Sequence, residues 1–424
     1  IGQRNKQLAR IHGIWGIGQW ARTNISTGKT LLPLLNDSDP EIKAQAAKVI
    51  GDENIPDAGS LLVPLLKDSN PRVRFYGAQA LGRVRYGEGF QPLLGMLSAN
   101  KDQDRYLRHA GVLALARIGN ITGLAALSGN PDRSLRLAAV LALRRLKSEQ
   151  VALFLKDNDE FIVTEAARAI NDDHSIPASL PALAATLNEK HFSSEPLLRR
   201  AIGAAQRIGG TAQLAGVISF AERKDVDPRI RAEALAAIAT WANPSETDRV
   251  DGRYRGIVKR DPAPVLAAIT PRLENFLNES DPEILIAAFR ISTEYGYNGV
   301  NSRLAEMSRS HASPQVRIAA LKSLKTLNYP SIEALIRQSM GDGNAEVRAA
   351  ALSVLEGTEL SGPALNDITA SIFTKGSLVE QQQLLSLIKQ YPISKTGAIL
   401  EKLTDRLLKN ELNRGIALEL GEAI

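Results

Sequence analysis

Asp39-Pro40-Glu41-Ile42-Lys43-Ala44-Gln45-Ala46-Ala47-Lys48-Val49-Ile50 is the stretch from which the fold can be read. Counted from Ile42, apolar residues fall at +4, +7 and +8 (Ala46, Val49, Ile50), which is one face of a helix. Asp39 stands where an N-cap side chain satisfies the open amides of the first turn. Pro40 takes the first helical position, where its missing N–H costs nothing. The same phase recurs from Val73, Leu107, Leu135, Ile162, Leu198, Ile230, Ile284, Val316, Val347, Val379 and Leu412. The intervals average about 32 residues, with one longer gap between Ile230 and Ile284. Three residues ahead of these anchors stand Asn70, Asp104, Asp132, Asp159, Glu195, Asp227, Asp281, Ser313, Asn344, Gly376 and Lys409, most of them capping residues.

Ahead of each cap lies a shorter apolar segment, as at 61–66 and 332–336. Each repeat therefore reads as a short helix A, a polar turn and a longer helix B. No single hairpin can bury its own apolar face, so the hairpins must stack. The chain is expected to be all-α, an α-α superhelix of about twelve helical hairpins over residues 28–424, with an N-terminal capping helix over 1–27.

The composition agrees. Of 424 residues, 44% are hydrophobic and 23% charged, with no cysteine and a net charge of +6. Near-balanced charge and an ordinary apolar fraction argue against disorder. No apolar run reaches the roughly 20 residues of a membrane-spanning helix. Without cysteine, disulfides, thiolate zinc sites and covalent haem attachment are excluded within these residues. The first residue is Ile rather than Met, which reads as a piece of a longer polypeptide.

The recurring cap-Pro-x-[Ile/Val/Leu]-[Arg/Lys] signature resembles short HEAT repeats of the phycobilisome-lyase type, over about residues 28 to 424. That resemblance implies a HEAT/ARM-like α-solenoid with the B helices on its concave side.

One position past the anchors stands a basic column: Lys43, Arg74, Arg108, Arg136, Arg199, Arg231, Arg317 and Arg348. Such a row could neutralise a nucleic-acid backbone. The first 150 residues hold 21 basic and 12 acidic side chains, which makes this alternative concrete. Against it, aromatic stacking platforms are scarce near the basic positions, and the basic column keeps step with the caps. The preferred reading is a structural ladder, each cation pairing with a capping carboxylate (Asp39, Asp104, Asp132, Asp227) or a carbonyl of the adjacent unit.

The histidines His12, His109, His174, His191 and His311 are scattered, and Asp172-Asp173-His174 reads as a solvated turn. No metal, cofactor or nucleophile–base constellation can be assembled from the residue types present.

Two segments break the repeat. In the first, Arg10-Ile11-His12-Gly13-Ile14-Trp15-Gly16-Ile17-Gly18-Gln19-Trp20-Ala21-Arg22, the residues Leu8, Ile11, Ile14 and Trp15 share a helical face, and Trp20 projects almost opposite. Trp15 is expected to be buried on the first repeat, while Trp20 and Arg22 are candidates for partner contact. The second break is an insertion over about 243–262. In and just before it, Trp241, Asp248, Arg249, Arg253, Tyr254 and Arg255 suit either an interface or a self-packed loop with internal Arg–Asp pairs.

Both segments resemble the HEAT region of large secreted bacterial proteins. The resemblance lies in Arg10-Ile11-His12-x-x-Trp15-x-x-Gly18-Gln19 and in Trp241-x-x-Pro244-x-x-x-Asp248-Arg249-Val250-x-Gly252-x-Tyr254-Arg255. In those proteins a sugar-dehydrogenase-like β-propeller precedes the array and a c-type cytochrome domain follows it. The resemblance implies a non-catalytic scaffold that positions flanking domains or docks a protein, in a periplasmic or secreted setting, with nucleic acid an unlikely partner.

Overall fold

The computed structural model describes residues 3–172 and 176–424, so Asp173 and His174 of the Asp-Asp-His turn lie outside the described residues. The chain divides into two units, Ile1–Ile208 with Thr247–Tyr254, and Gly209–Glu246 with Arg255–Ile424. Unit 1 opens with α1 (Gln3–Ala21) and continues with the B helices α2 (Pro40–Asp52), α3 (Pro71–Arg83), α4 (Arg105–Ile118), α5 (Arg133–Arg145), α6 (Glu160–Asn171) and α7 (Glu195–Ile208). Unit 2 holds α8 (Pro228–Ala239), α9 (Pro282–Glu294), α10 (Pro314–Thr326), α11 (Ala345–Leu355) and α12 (Leu378–Ile388), and ends with α13 (Ala417–Ala423). Within each unit every B helix packs on the B helix before it, and the shorter A segments form the second layer. Among the described residues there is no strand, only an isolated antiparallel bridge between Thr247 and Tyr254. No helix there is long and apolar enough to cross a membrane.

The caps explain where the B helices begin. Asp39, Asn70, Asp132, Asp159 and Asp227 each accept the amide two residues on. Asp104, Asp281 and Asn344 each accept two first-turn amides. Ser313 accepts from the Val316 amide. The anchors from Ile42 to Val347 are all buried. Several A segments are 3-10 rather than α-helical, including Lys29–Asn36 and Val63–Lys67. Pro33 and Pro64 withdraw amides from those turns.

Four expectations need correction. Val379 is 60% exposed. Ser377, not Gly376, caps its helix through a reciprocal capping box with Glu380, so the phase moves one residue and Glu380 takes the buried anchor position. Lys409 and Leu412 do not start the last B helix, because Asn413 caps a 3-10 turn there and Ile416 and Leu420 carry the buried face. Glu195 begins α7 rather than capping it, and the amides of Leu197 and Leu198 close onto the Ser194 carbonyl. Trp15 is half-exposed, its indole N–H donating to Gln45 Oε1 at 2.9 Å, while Ile11, Ile14 and Ala21 carry the burial of α1.

Close approach of the B helices depends on small residues. A Cβ at Gly82 would lie 2.5 Å from the Ala114 Cα, and one at Gly51 would lie 2.7 Å from the Ala80 Cα. Gly82→Ala is therefore expected to destabilise unit 1 by about 1–3 kcal/mol through overpacking. Gly95→Ala, where nothing lies within 4 Å, should stabilise its helix by about 0.5–1 kcal/mol. Urea unfolding of the two variants checks the opposite signs.

Candidate functional site

The basic column is a ladder, with a different rung from the one expected. In Arg136, Nη1 donates to the Asn130 carbonyl of its own turn at 2.8 Å, while Nε donates to Asp157 of the next hairpin at 2.7 Å. Arg317 repeats this with the His311 carbonyl at 2.6 Å and both Asp342 oxygens at 3.0 Å. Arg348 does so with the Asp342 carbonyl at 2.9 Å and with Glu380 at 2.8 and 3.2 Å. Lys43 pairs with Asp68 in the same sense. Arg231 grips Glu279 through two hydrogen bonds.

The acceptor is thus usually the carboxylate two residues before the next cap. Asp39, Asp104, Asp132 and Asp227 are engaged with the first-turn amides of their own helices. Asp68, Asp157 and Asp342 also accept the amide of the capping residue that follows them, at 2.8–2.9 Å. Arg74 holds only the carbonyls of Asp68 and Ser69. Arg108 turns back to Asp102 of its own turn. Arg199 pairs with Glu195 along α7. Arg10, outside the predicted column, reaches Asp37 and joins α1 to the first repeat by the same device.

Three carboxylates of the ladder, Glu380, Glu279 and Asp68, titrate low. Burial alone would raise Glu380, but hydrogen bonds from Arg348 and Ser377 outweigh it and hold the carboxyl below its usual range. Glu279 behaves likewise between Arg231 and Lys224, and Asp68 beside Lys43.

The insertion is pinned at two levels. In unit 2, Trp241 is 2% exposed and donates its indole N–H to the Gly209 carbonyl at 3.3 Å. Arg260 Nη1 returns to the Trp241 carbonyl at 2.6 Å, and the Tyr295 hydroxyl donates to the Ile238 carbonyl at 2.8 Å. Trp241 is therefore a core residue rather than a contact surface: it continues the buried face of α8 from Ile230, Ala234 and Ile238. In unit 1, the side chain of Asp248 is 5% exposed. It accepts the Val250 and Asp251 amides at 2.9 and 3.1 Å and pairs with Arg207. Arg249 and Arg255 are half-buried, whereas Arg253 and Tyr254 are exposed, Tyr254 at 67%. Trp20 is 62% exposed, and Arg22 lies on the surface paired with Glu53. The predicted contact residues thus separate into a framework of buried side chains (Trp241, Asp248) and displayed groups (Trp20, Arg22, Arg253, Tyr254).

Sequence reasoning missed a cavity of about 770 Å³ in unit 1. Arg105, Arg108 and His109 line it from the first turns of α4, Arg144, Arg145 and Lys147 from the end of α5, and Arg253 from the 247–254 hairpin.

The architecture is that of an all-α solenoid of stacked helical hairpins. Residues 28–116 and 301–371 match the family described as HEAT repeats. These two stretches carry HEAT repeats, and the fold class is the all-α superhelix. No curated protein matches its sequence. Among solved structures, the karyopherin Kap121p is similar at 14% identity and a TM-score of 0.48, over 96% of this chain and 46% of that one. The complex of CpcE and CpcF of phycocyanin lyase from Nostoc sp. is similar at 20% identity and a TM-score of 0.27, over 50% of this chain and 86% of that one. The chain spans about half the length of the karyopherin it matches.

Two outcomes follow from the ladder. Arg348→Met should cost about 3–5 kcal/mol, because it strands a buried carboxylate, and Arg348→Met with Glu380→Leu should recover most of that. Stability should also respond to acid. Folded-state carboxyls held below their ordinary values contribute fully above those values, 3.8 for Asp and 4.5 for Glu, and the contribution is lost as pH falls through the lowered ones. The urea midpoint should accordingly be flat near neutrality and decline below about pH 4.5, less steeply in the double variant.

Proposed function

We propose that the chain is a non-catalytic scaffold that holds a protein partner or flanking domains at fixed positions. The observation that carries this reading is the ladder. Lys43, Arg136, Arg231, Arg317 and Arg348 are taken up in joining hairpins within their own unit, and in unit 1 the hairpins so joined display Trp20, Arg22, Arg253 and Tyr254. Repeats that contact only their neighbours form extended binding surfaces of this kind. An exposed Trp or Tyr on such a framework suits a contact, since it offers a large area with little entropy to lose.

The resemblance of 10–22 and 241–255 to secreted bacterial HEAT regions supports a propeller domain and a cytochrome domain as the neighbours. It also supports a periplasmic or secreted setting. Any electron-transfer chemistry would then belong to those neighbours, since this chain has no cysteine for a haem thioether.

A photo-crosslinking residue placed at Trp20 or Tyr254, in the cells that express the protein, tests the scaffold. Capture of one defined protein or domain at these positions, and not at the equally exposed Leu408, is the expected result. Adducts equally diffuse at all three positions would remove the proposal.

A further inference from the structure

The cavity in unit 1 has a charge pattern that the fold does not require. Arg144, Arg145 and Lys147 sit at the C-terminal end of α5, where a helix dipole welcomes cations. Arg105, Arg108 and His109 do not share that explanation. They occupy the first turns of α4, which have no acidic residue and where the dipole disfavours positive charge. The ladder does not account for them either. Where Lys43, Arg136 and Arg317 find an Asp in the next hairpin, the residue corresponding to it for Arg108 is the neutral Asn130. Arg108 is left with Asp102 of its own turn, and Arg105, Arg145 and Lys147 form no ion pair among the described residues. Among the described residues no carboxylate lines the cavity, whose other walls are Val112 and Leu141.

We propose that this cavity binds a compact ligand carrying several phosphate groups. Cations converge on it from three separate elements, α4, α5 and the 247–254 hairpin. A concave site lined by one sign of charge concentrates the field and draws in multivalent anions. Guanidinium forks match phosphate oxygens in pairs. The volume, about 770 Å³, is in the range of small-molecule sites.

A nucleic-acid strand is a poorer fit, because a backbone needs a positive track running over several hairpins. The neighbouring basic concavity beside Arg83, Arg85 and Arg117 contains Asp52, which pairs with Arg83. Farther along, Arg136 is matched by Asp157. The uncompensated charge is local. An acidic peptide is likewise less apt, since it brings one carboxylate per residue to a site where the cations crowd together.

Isothermal titration of the full 424-residue chain with inorganic tripolyphosphate, and separately with ATP, is the test. Saturable binding near one ligand per chain is expected, weakening as salt rises. It should fall about tenfold or more in Arg145→Gln with Lys147→Gln, and again in Arg105→Gln. Arg85→Gln, in the neighbouring concavity, should leave it unchanged, and circular dichroism melts should be the same for all variants. Equal affinity for both probes identifies the phosphate chain as the ligand, and tighter ATP binding identifies a nucleoside polyphosphate. Absence of saturation, or equal loss in Arg85→Gln, would overturn the site. So would displacement of tripolyphosphate by an oligonucleotide or a polyglutamate peptide whose affinity keeps rising with length.

Discussion

Everything else in the structure depends on the fork that a B-helix arginine makes between two turns. One edge of the guanidinium holds a carbonyl of its own A–B turn, and the other holds a carboxylate of the next turn, as in Arg136, Arg317 and Arg348. The same carboxylate often receives the amide of the following cap, so a single side chain ties the helix start of one hairpin to that of its neighbour. A charge pair with little exposure is weak evidence for stability by itself, because desolvation offsets much of the attraction. Its value here lies in register. Faces built of Ala, Gly and Leu could slide past one another by a turn at modest cost, whereas a fork with fixed directions admits one alignment.

The ladder also changes what the net charge means. A total of +6 and a periodic row of Arg suggest a surface for polyanions. The residues in that row are the least available for one, since carbonyls and carboxylates within the fold already hold them. The cations with no such duty lie off the column, at Arg105, Arg145 and Lys147, and they collect beside the hairpin whose neutral Asn130 replaces the usual carboxylate. A lapse in the structural pattern and a concentration of charge therefore coincide in one place.

The fold was legible because its determinants are local. Asp39-Pro40 or Asp281-Pro282 announces a helix start by sterics and hydrogen bonding within one turn, and Ile42 or Ile284 then sets the phase of burial. Phase failed where a stronger local signal overrode it, as in Ser377 and Glu380, whose reciprocal bonds moved the start past Val379. Trp241 could have been assigned to the core, being in phase with Ile230 and Ile238. Its neighbours in a polar loop obscured that, while the out-of-phase Trp20 is exposed as its position implies. The ladder's acceptors were hidden because a pairing between hairpins depends on how they stack. Convergence of Arg253 with residues over a hundred positions earlier has no signature in spacing at all.

The insertion shows how the two kinds of constraint divide the work. Arg231 reaches Glu279 across it with two hydrogen bonds, so the ladder continues as though the extra residues were absent. The segment is nevertheless ordered twice over. Trp241, Arg260 and Tyr295 fix its base in unit 2, and Asp248 with Arg207 fixes the 247–254 hairpin in unit 1. Ordering a loop of this length costs about 1–2 kcal/mol per residue in backbone entropy, which these contacts to the neighbouring helices offset. Those contacts also place Arg253 at the basic cavity and leave Tyr254 in solvent. The insertion is therefore better understood as a device for presenting side chains than as an irregularity in the array.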